Sequence, residues 1–255
     1  MSIKYLSITS HGNTRSIAYY HDIPENATYS ILWLSGYCSV MNSTKANAIA
    51  EWCRHQSVEM IKFDYSGLGE SSGEFAAANL SQWLEEALMI YQHIQHRPTI
   101  IIGSSMGAWL ALRLTETLQQ MAQVMPSQLL LLAPAVDFTH ELLLPALSDK
   151  LMSHLKAFGK LVLPTQYEYE LDTLDFYQQF IDDAEQHLML NRAANITTPM
   201  TIIHGEKGLN ITISHAYKTI EHFPHTELIS VPGAAHRLSR EQDIQLILKT
   251  LEDLQ

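Results

Sequence analysis

The pentapeptide Gly103-Ser104-Ser105-Met106-Gly107 decides the fold that this sequence predicts. It follows the apolar run 98–102 and precedes residues 108–118, whose apolar spacing is helical. A strand that turns at once into a helix forces its corner residue into strained backbone of positive φ, which lifts that side chain clear of the sheet. Glycine on both sides leaves this corner room. The pattern therefore predicts a nucleophile elbow with Ser105 at its tip.

Strand and helix patterns alternate along the rest of the chain. Apolar runs at 29–34, 58–63, 128–133, 200–204 and 227–231 predict strands, and helical spacing appears at 44–55, 80–94, 212–223 and 241–254. Parallel neighbours need crossover connections, which helices supply. We therefore expect an α/β fold, a mainly parallel sheet covered by helices on both faces. Residues 3–8 and 15–21 predict an antiparallel hairpin at its edge.

One segment, residues 138–195, interrupts this alternation. It holds apolar clusters at 142–147, 151–163 and 174–190 and shows no convincing strand, so it predicts a helical cap inserted into the sheet domain. A chain of 255 residues can bury a large core as one such domain with an insertion. The expected division is a core of 1–137 and 196–255 and a helical cap of 138–195.

Composition excludes several classes of function. A formal net charge of -11 opposes attraction to nucleic acid or to anionic membranes. No apolar run approaches the ~20 residues that a membrane span requires. Cys38 and Cys53 are too few for a disulfide framework, and the N-terminal residues resemble a strand rather than a targeting segment. These features predict a cytosolic protein. No metal-ligand spacing or cofactor-binding fingerprint occurs, and the oligomeric state is not indicated.

The predicted nucleophile requires a base and an oxyanion hole. A serine hydroxyl attacks at neutral pH only if a base takes its proton. His236 is the preferred base because it lies between the last predicted strand and helix, at the sheet face where the elbow also points. The oxyanion donors are expected to be the backbone N–H groups of Met106, which follows the nucleophile, and of Tyr37, in the loop after strand 29–34. His204, at a strand end, is interpreted as structural.

Several motifs together indicate a family. They are Gly36-Tyr37, Phe63-Asp64-Tyr65-Ser66-Gly67, the elbow, His204-Gly205 and His236-Arg237. With these motifs the sequence resembles the α/β-hydrolase superfamily, and more closely its abhydrolase-domain group of palmitoyl-protein thioesterases and acyl-glucuronide esterases. The resemblance spans nearly the whole chain. It implies serine esterase or thioesterase chemistry, with Ser105 as nucleophile and His236 as base.

The sequence departs from this family at the acid of the catalytic triad. The family places an Asp four residues past the His of the His-Gly pair, and here that position is Gly208. Asp137 is the first candidate to replace it, because it leaves the sheet at the same face, four residues past strand 128–133. Glu206 and Asn210, in the deviant loop, are alternatives. The sequence also leaves open the possibility that the triad is incomplete and has no third member.

The expected function is hydrolysis of carboxylic esters or thioesters through an acyl-enzyme. The apolar cap suggests a hydrophobic acyl group, carried by a small molecule or by an acylated protein. The rival hypothesis, motivated by Gly208, is a degenerate hydrolase fold that binds an acylated ligand or a protein partner. Lys45 has two interpretations, a residue that steadies the oxyanion loop or a solvated residue at a helix start.

Overall fold

The computed structural model describes residues 2–10, 12–94, 97–165 and 172–254. Its first half comprises β1 (Lys4–Ser10), β2 (Asn13–Asp22), β3 (Ser30–Leu34), α1 (Thr44–Gln56), β4 (Glu59–Phe63), α2 (Leu80–Tyr91), β5 (Thr99–Ser104), α3 (Met106–Gln120) and β6 (Gln128–Leu132). The second half comprises α4 (Leu144–Ala146), α5 (Asp149–Phe158), β7 (Lys160–Pro164), β8 (Thr173–Tyr177), α6 (Gln178–Ala184), β9 (Met200–Gly205), α7 (Ile213–His222), β10 (Thr226–Val231) and α8 (Glu241–Asp253).

The central sheet has eight strands in the order β1-β2-β4-β3-β5-β6-β9-β10. From β4 to β10 all neighbours are parallel, whereas β1 pairs antiparallel with β2, and β2 with β4. This arrangement confirms the predicted α/β fold and the hairpin at the sheet edge. The carboxyl ends of β3, β5, β6, β9 and β10 lie on one side of the sheet, where sites gather in open α/β folds.

The central strands of the sheet are buried on both faces, to which their alternate side chains point. On β3, Leu32 and Leu34 belong to the apolar cluster that includes Trp83 of α2 and Leu110 of α3. Its neighbour Trp33 belongs to a second cluster, which α1 and α8 cover on the other face. Burial on both faces explains why these strands have continuous apolar sequences.

The segment predicted as a helical cap is only partly helical. A π-helical turn (Thr139–Leu143), α4, α5 and α6 alternate with β7 and β8, which pair antiparallel in a separate two-stranded sheet. The prediction of no strand here is therefore wrong. On β8 the burial alternates, with Leu174 and Phe176 buried and Asp175 half-buried, as expected for a strand with one face on the core. Residues 166–171 of this segment lie outside the described residues.

Among the helices that the structure describes, none combines the length and apolarity needed to cross a lipid bilayer.

Candidate active site

The backbone turns sharply at Ser105. Strand β5 ends at Ser104, helix α3 begins at Met106, and Ser105 between them has φ 56° and ψ −119°. A non-glycine residue in this region is strained and persists only where its surroundings fix it. Here the neighbouring strand β6 and the segment after it fix the backbone, since Ser105 N donates to Leu132 O at 2.9 Å and Ala135 N donates to Ser105 O at 3.2 Å. The backbone thus has the form predicted for a nucleophile elbow.

The two elbow glycines are required by contact distances. A Cβ atom on Gly103 would lie 2.5 Å from the Cα atom of Ala108. On Gly107 it would overlap the carbonyl oxygen of Leu34 and lie 2.6 Å from that of Ser35. Carbon atoms do not approach backbone atoms this closely, so any side chain at either position would push the strand, the turn and the helix apart.

The elbow brings Ser105 to His236. The Nε2 atom of His236 lies 3.0 Å from Ser105 Oγ, although the two residues are 131 positions apart in the chain. His236 is held in the loop between β10 and α8, and only 5 % of its surface is exposed. Burial, followed by the electrostatic effects of Lys45 and of the neighbouring His204, lowers the pKa of this imidazole to about 3. A neutral imidazole at this distance can accept the serine proton, so the pair has the geometry of a nucleophile and its base.

The two predicted oxyanion donors line the same cavity as the Ser105–His236 pair. This cavity has a volume of about 420 Å³. Met106 opens α3, so its N–H belongs to the first turn, where no helical carbonyl accepts. Tyr37 follows Gly36, where an added Cβ would lie 3.3 Å from Ser105 Cβ. The loop after β3 therefore passes close to the nucleophile, as an oxyanion-hole loop must.

The side chain of Tyr37 connects this loop to β8. Its hydroxyl donates a hydrogen bond to the backbone oxygen of Asp175 at 2.7 Å. Its ring stacks on that of Phe176, with centroids 5.2 Å apart and planes within 4°. Sequence reasoning assigned Tyr37 only a backbone role and missed this contact, because β8 was not predicted as a strand. The alternation of apolar residues at 174 and 176 was the available signal.

The cavity wall is divided by polarity. One part is apolar and comes mainly from the segments after β6 and β9 and from β8; it includes Ala135, Phe138, Leu174, Phe176 and Ile211. The other part is polar and comes from the loop before α1, the start of α1 and the loop that carries His236; it includes Ser39, Asn42, Ser43, Lys45, Arg237 and Ser239. The cavity wall therefore offers both apolar and polar surface to a bound molecule.

The structure does not bring Asp137, the first candidate for the triad acid, to His236. Asp137 is buried and has φ 55°. Its carboxylate accepts the backbone N–H of Met189 at 2.8 Å and that of Leu190 at 2.7 Å. Burial raises the pKa of this carboxyl, and the two amide bonds partly offset that effect. Asp137 thus connects the end of the inserted segment to the part of the sheet where β6 ends.

The alternative acids lie in the loop after β9. This loop contacts the histidine loop, since Lys207 N donates to Ala234 O at 2.8 Å. The side chains of Glu206 and Asn210 are exposed. Gly208, at the family's acid position, is buried, and a Cβ added there would overlap the carbonyl oxygen of Ile211. The path of the backbone therefore excludes an aspartate at 208 unless the loop shifts.

His204 has the structural position that the sequence predicted. It is fully buried at the end of β9, and its Nε2 lies 3.1 Å from the carbonyl oxygen of Ile211. Burial lowers the pKa of its imidazole. It therefore supports the loop that runs beside His236 while remaining uncharged.

No group of three or more His, Cys, Asp or Glu side chains in residues 2–10, 12–94, 97–165 and 172–254 could hold a metal ion. Cys38 lines the cavity, and burial raises the pKa of its thiol to about 12. A thiol of that pKa is protonated at neutral pH and is a poor nucleophile. Cys38 is therefore a weaker candidate for the nucleophile than Ser105, whose Oγ lies 3.0 Å from His236 Nε2.

Comparison with known proteins gives a consistent relationship. Residues 25–186 match the Hydrolase_4 family model, described as serine aminopeptidase S33. The mitochondrial palmitoyl-protein thioesterase ABHD10 of Mus musculus is 30% identical over 234 residues, which are 89% of this chain and 75% of the relative. The human protein of the same name is 29% identical over 228 residues, covering 88% of this chain and 72% of the relative.

Solved structures agree with this relationship. A putative hydrolase from Agrobacterium vitis S4 superposes with a TM-score of 0.93 at 31% identity, covering 99% of this chain and 98% of its own. The α/β-hydrolase domain-containing protein 10 from mouse gives 0.85 at 27% identity, covering 100% of this chain and 98% of its own. These matches confirm the fold and the resemblance inferred from the motifs.

The predicted cytosolic location is contradicted by the relatives. All five curated relatives are named as mitochondrial proteins. The physical reason for the error is that two free thiols distinguish an intracellular from a secreted protein and do not separate one intracellular compartment from another.

Proposed function

Because the chain belongs to the serine aminopeptidase S33 (Hydrolase_4) family of α/β hydrolases, we propose that it is a serine hydrolase that cleaves carboxylic esters or thioesters. The observation that carries this proposal is the 3.0 Å approach of His236 Nε2 to Ser105 Oγ. Nucleophile and base within hydrogen-bond reach are the geometric signature of covalent catalysis. The positive φ of Ser105 and the nearby amides of Tyr37 and Met106 support the same function.

The proposed reaction proceeds through an acyl-enzyme. Ser105 Oγ attacks the acyl carbonyl while His236 Nε2 takes its proton, and the oxygen that gains negative charge receives hydrogen bonds from the N–H groups of Met106 and Tyr37. Collapse breaks the bond to the leaving alcohol or thiol, which takes the proton from His236. Water then attacks the acyl-serine with His236 again as base, which releases the carboxylic acid and restores Ser105.

The proposed substrate carries a hydrophobic acyl group. The apolar part of the cavity, which includes Phe138, Leu174 and Phe176, supports this choice, as do the relatives named palmitoyl-protein thioesterase. The acyl carrier is an acylated protein or a small molecule whose leaving group contacts the polar part of the cavity. Thioester and oxygen-ester substrates of equal acyl length would separate the two bond types.

For the third triad member we propose that Asp137 is structural and that the remaining candidates are Glu206 and Asn210. The loop that carries them contacts the histidine loop, whereas the carboxylate of Asp137 binds Met189 and Leu190. Replacing a true triad acid costs about 10⁴ in turnover in serine proteases. We therefore expect a loss of this order from Glu206→Gln or Asn210→Ala if either residue orients His236, and small losses from both if the triad is incomplete.

A fluorophosphonate probe tests the proposed function directly. We expect the probe to label the wild-type protein and the matched control Ser104→Ala, and to leave Ser105→Ala unlabelled. Hydrolysis of p-nitrophenyl esters should follow the same pattern. Absence of labelling in folded wild-type protein would contradict the proposal and favour the rival hypothesis, a degenerate hydrolase fold that binds an acylated ligand or a protein partner.

A further inference from the structure

Lys45 connects the two loops that form the catalytic site. It is the second residue of α1, which begins directly after the oxyanion loop. Its Nζ donates a hydrogen bond to the backbone oxygen of Arg237, the residue that follows His236, 192 positions away. Lys45 also lines the cavity together with Ser105 and His236. One side chain thus spans from the oxyanion side of the cavity to the loop that carries His236.

The position of Lys45 is electrostatically unfavourable for the helix that contains it. The first turn of a helix carries partial positive charge, which favours acidic side chains and disfavours a cation. The first turn of α1 contains no acidic residue to compensate. A lysine at this position therefore weakens the helix start, and its hydrogen bond to the histidine loop offsets part of this cost.

We propose that Lys45 is a positioning residue for His236, which fixes the histidine loop through the Arg237 carbonyl and places a positive charge beside the cavity where the oxyanion forms. This inference rests on the proposed function. Clamping the backbone next to His236 would restrict its ring to the orientation that accepts the Ser105 proton. The ammonium would also favour a substrate oxygen that gains negative charge during attack.

The charge of Lys45 acts on His236 in a direction that can be measured. Burial first, then Lys45 from α1 and His204 from β9, lower the pKa of the imidazole. Among other ionisable residues, Arg237 follows His236 in the same loop, and the exposed Glu206 and Lys207 lie in the loop after β9, which contacts the histidine loop through its backbone. Removing the ammonium should therefore raise the pKa of His236 and move the acid limb of the rate profile to higher pH.

The test compares Lys45→Met, which removes the donor and the charge, with Lys45→Arg, which keeps both, and with Lys45→Gln, which keeps an N–H without the charge. Lys249→Met on α8, an exposed lysine outside the cavity, is the matched control. We expect Lys45→Met to lower kcat for a p-nitrophenyl ester about 10- to 100-fold with KM changed less than about threefold, since small displacements of catalytic groups act on kcat. In Lys45→Met the acid limb of the rate–pH profile should move to higher pH.

We expect Lys45→Arg to return kcat to within about threefold of wild type and to restore the acid limb. Lys45→Gln should show the displaced limb with a smaller loss of kcat. The inference is overturned if Lys45→Met keeps the wild-type kcat and limb, or if Lys45→Arg is as impaired as Lys45→Met. If Lys45→Met does not fold, the same comparison of kcat and of the acid limb between Lys45→Gln and Lys45→Arg tests the inference. If Ser105→Ala stays active, the proposed function fails instead.

Discussion

Replacing Asp137 should reduce stability and largely spare catalysis. In the structure its carboxylate is the acceptor for the N–H groups of Met189 and Leu190. A buried donor left without an acceptor costs about 1–3 kcal/mol, so Asp137→Ala, which orphans both, should lose roughly 2–6 kcal/mol. Because burial also raises the pKa of this carboxyl, the removal of a buried charge offsets part of that loss. We expect a value in the lower half of the range.

The backbone at residue 137 adds to the effect in alanine and not in asparagine. Its φ of 55° lies in the left-handed region, which asparagine and aspartate tolerate better than alanine. Asp137→Asn also keeps one acceptor oxygen, so it should lose about half as much stability as Asp137→Ala. For a chain of 255 residues, roughly 2–4 kcal/mol corresponds to a fall in Tm of about 5–15 °C.

Urea unfolding and p-nitrophenyl ester turnover, measured on the same preparations, give both quantities. We expect kcat/KM of folded Asp137→Asn to remain within about tenfold of wild type. A variant with wild-type stability and a kcat/KM lower by about 10³ or more would refute this reasoning and restore Asp137 as the triad acid.

Three further predictions concern the elbow, the base and the oxyanion loop. Gly107→Ala would place a Cβ against the carbonyl of Leu34 and should lose about 3 kcal/mol or more in urea unfolding, whereas the control Gly159→Ala, with open space around it, should lose about 1 kcal/mol. Burial, Lys45 and His204 lower the pKa of His236 to about 3, so the imidazole stays neutral as the pH falls. We therefore expect kcat/KM to remain constant from pH 7 down to roughly pH 5. A fall in kcat/KM with a midpoint near pH 6.5 would contradict the structure. Tyr37→Phe keeps the ring stack and removes the bond to Asp175, which should cost about 1 kcal/mol of stability and lower kcat about 3- to 10-fold at nearly constant KM.

The sequence was sufficient for the elements of the main sheet. Buried parallel strands such as β6 have unbroken apolar sequences, and the elbow glycines mark where β5 must turn. The approach of Ser105 to His236 was predictable from topology, because both follow strands whose carboxyl ends meet at one side of the sheet. Contacts of this kind depend on strand order more than on local detail.

The sequence predicted neither the strands of the inserted segment nor the hydrogen-bond partners of the Asp137 carboxylate. Strands β7 and β8 pair with one another in a separate sheet and alternate buried with more exposed residues, so neither has the unbroken apolar sequence of a strand such as β6. The position of Asp137 correctly predicted the side of the sheet on which it leaves β6. Its side-chain direction depends on a positive φ and on the return of the chain at Met189, which is 52 positions away.

The stacking of Tyr37 on Phe176 has a consequence for engineering this protein. A designer who wished to admit a bulkier molecule to the cavity would first enlarge the wall at Phe176, which is the ring stacked on Tyr37. That change would loosen the residue whose amide is expected to hold the oxyanion, so selectivity and turnover could not be tuned separately through this wall. Ile211, which lines the cavity from the loop before α7, offers a site outside this ring stack where the wall could be reshaped.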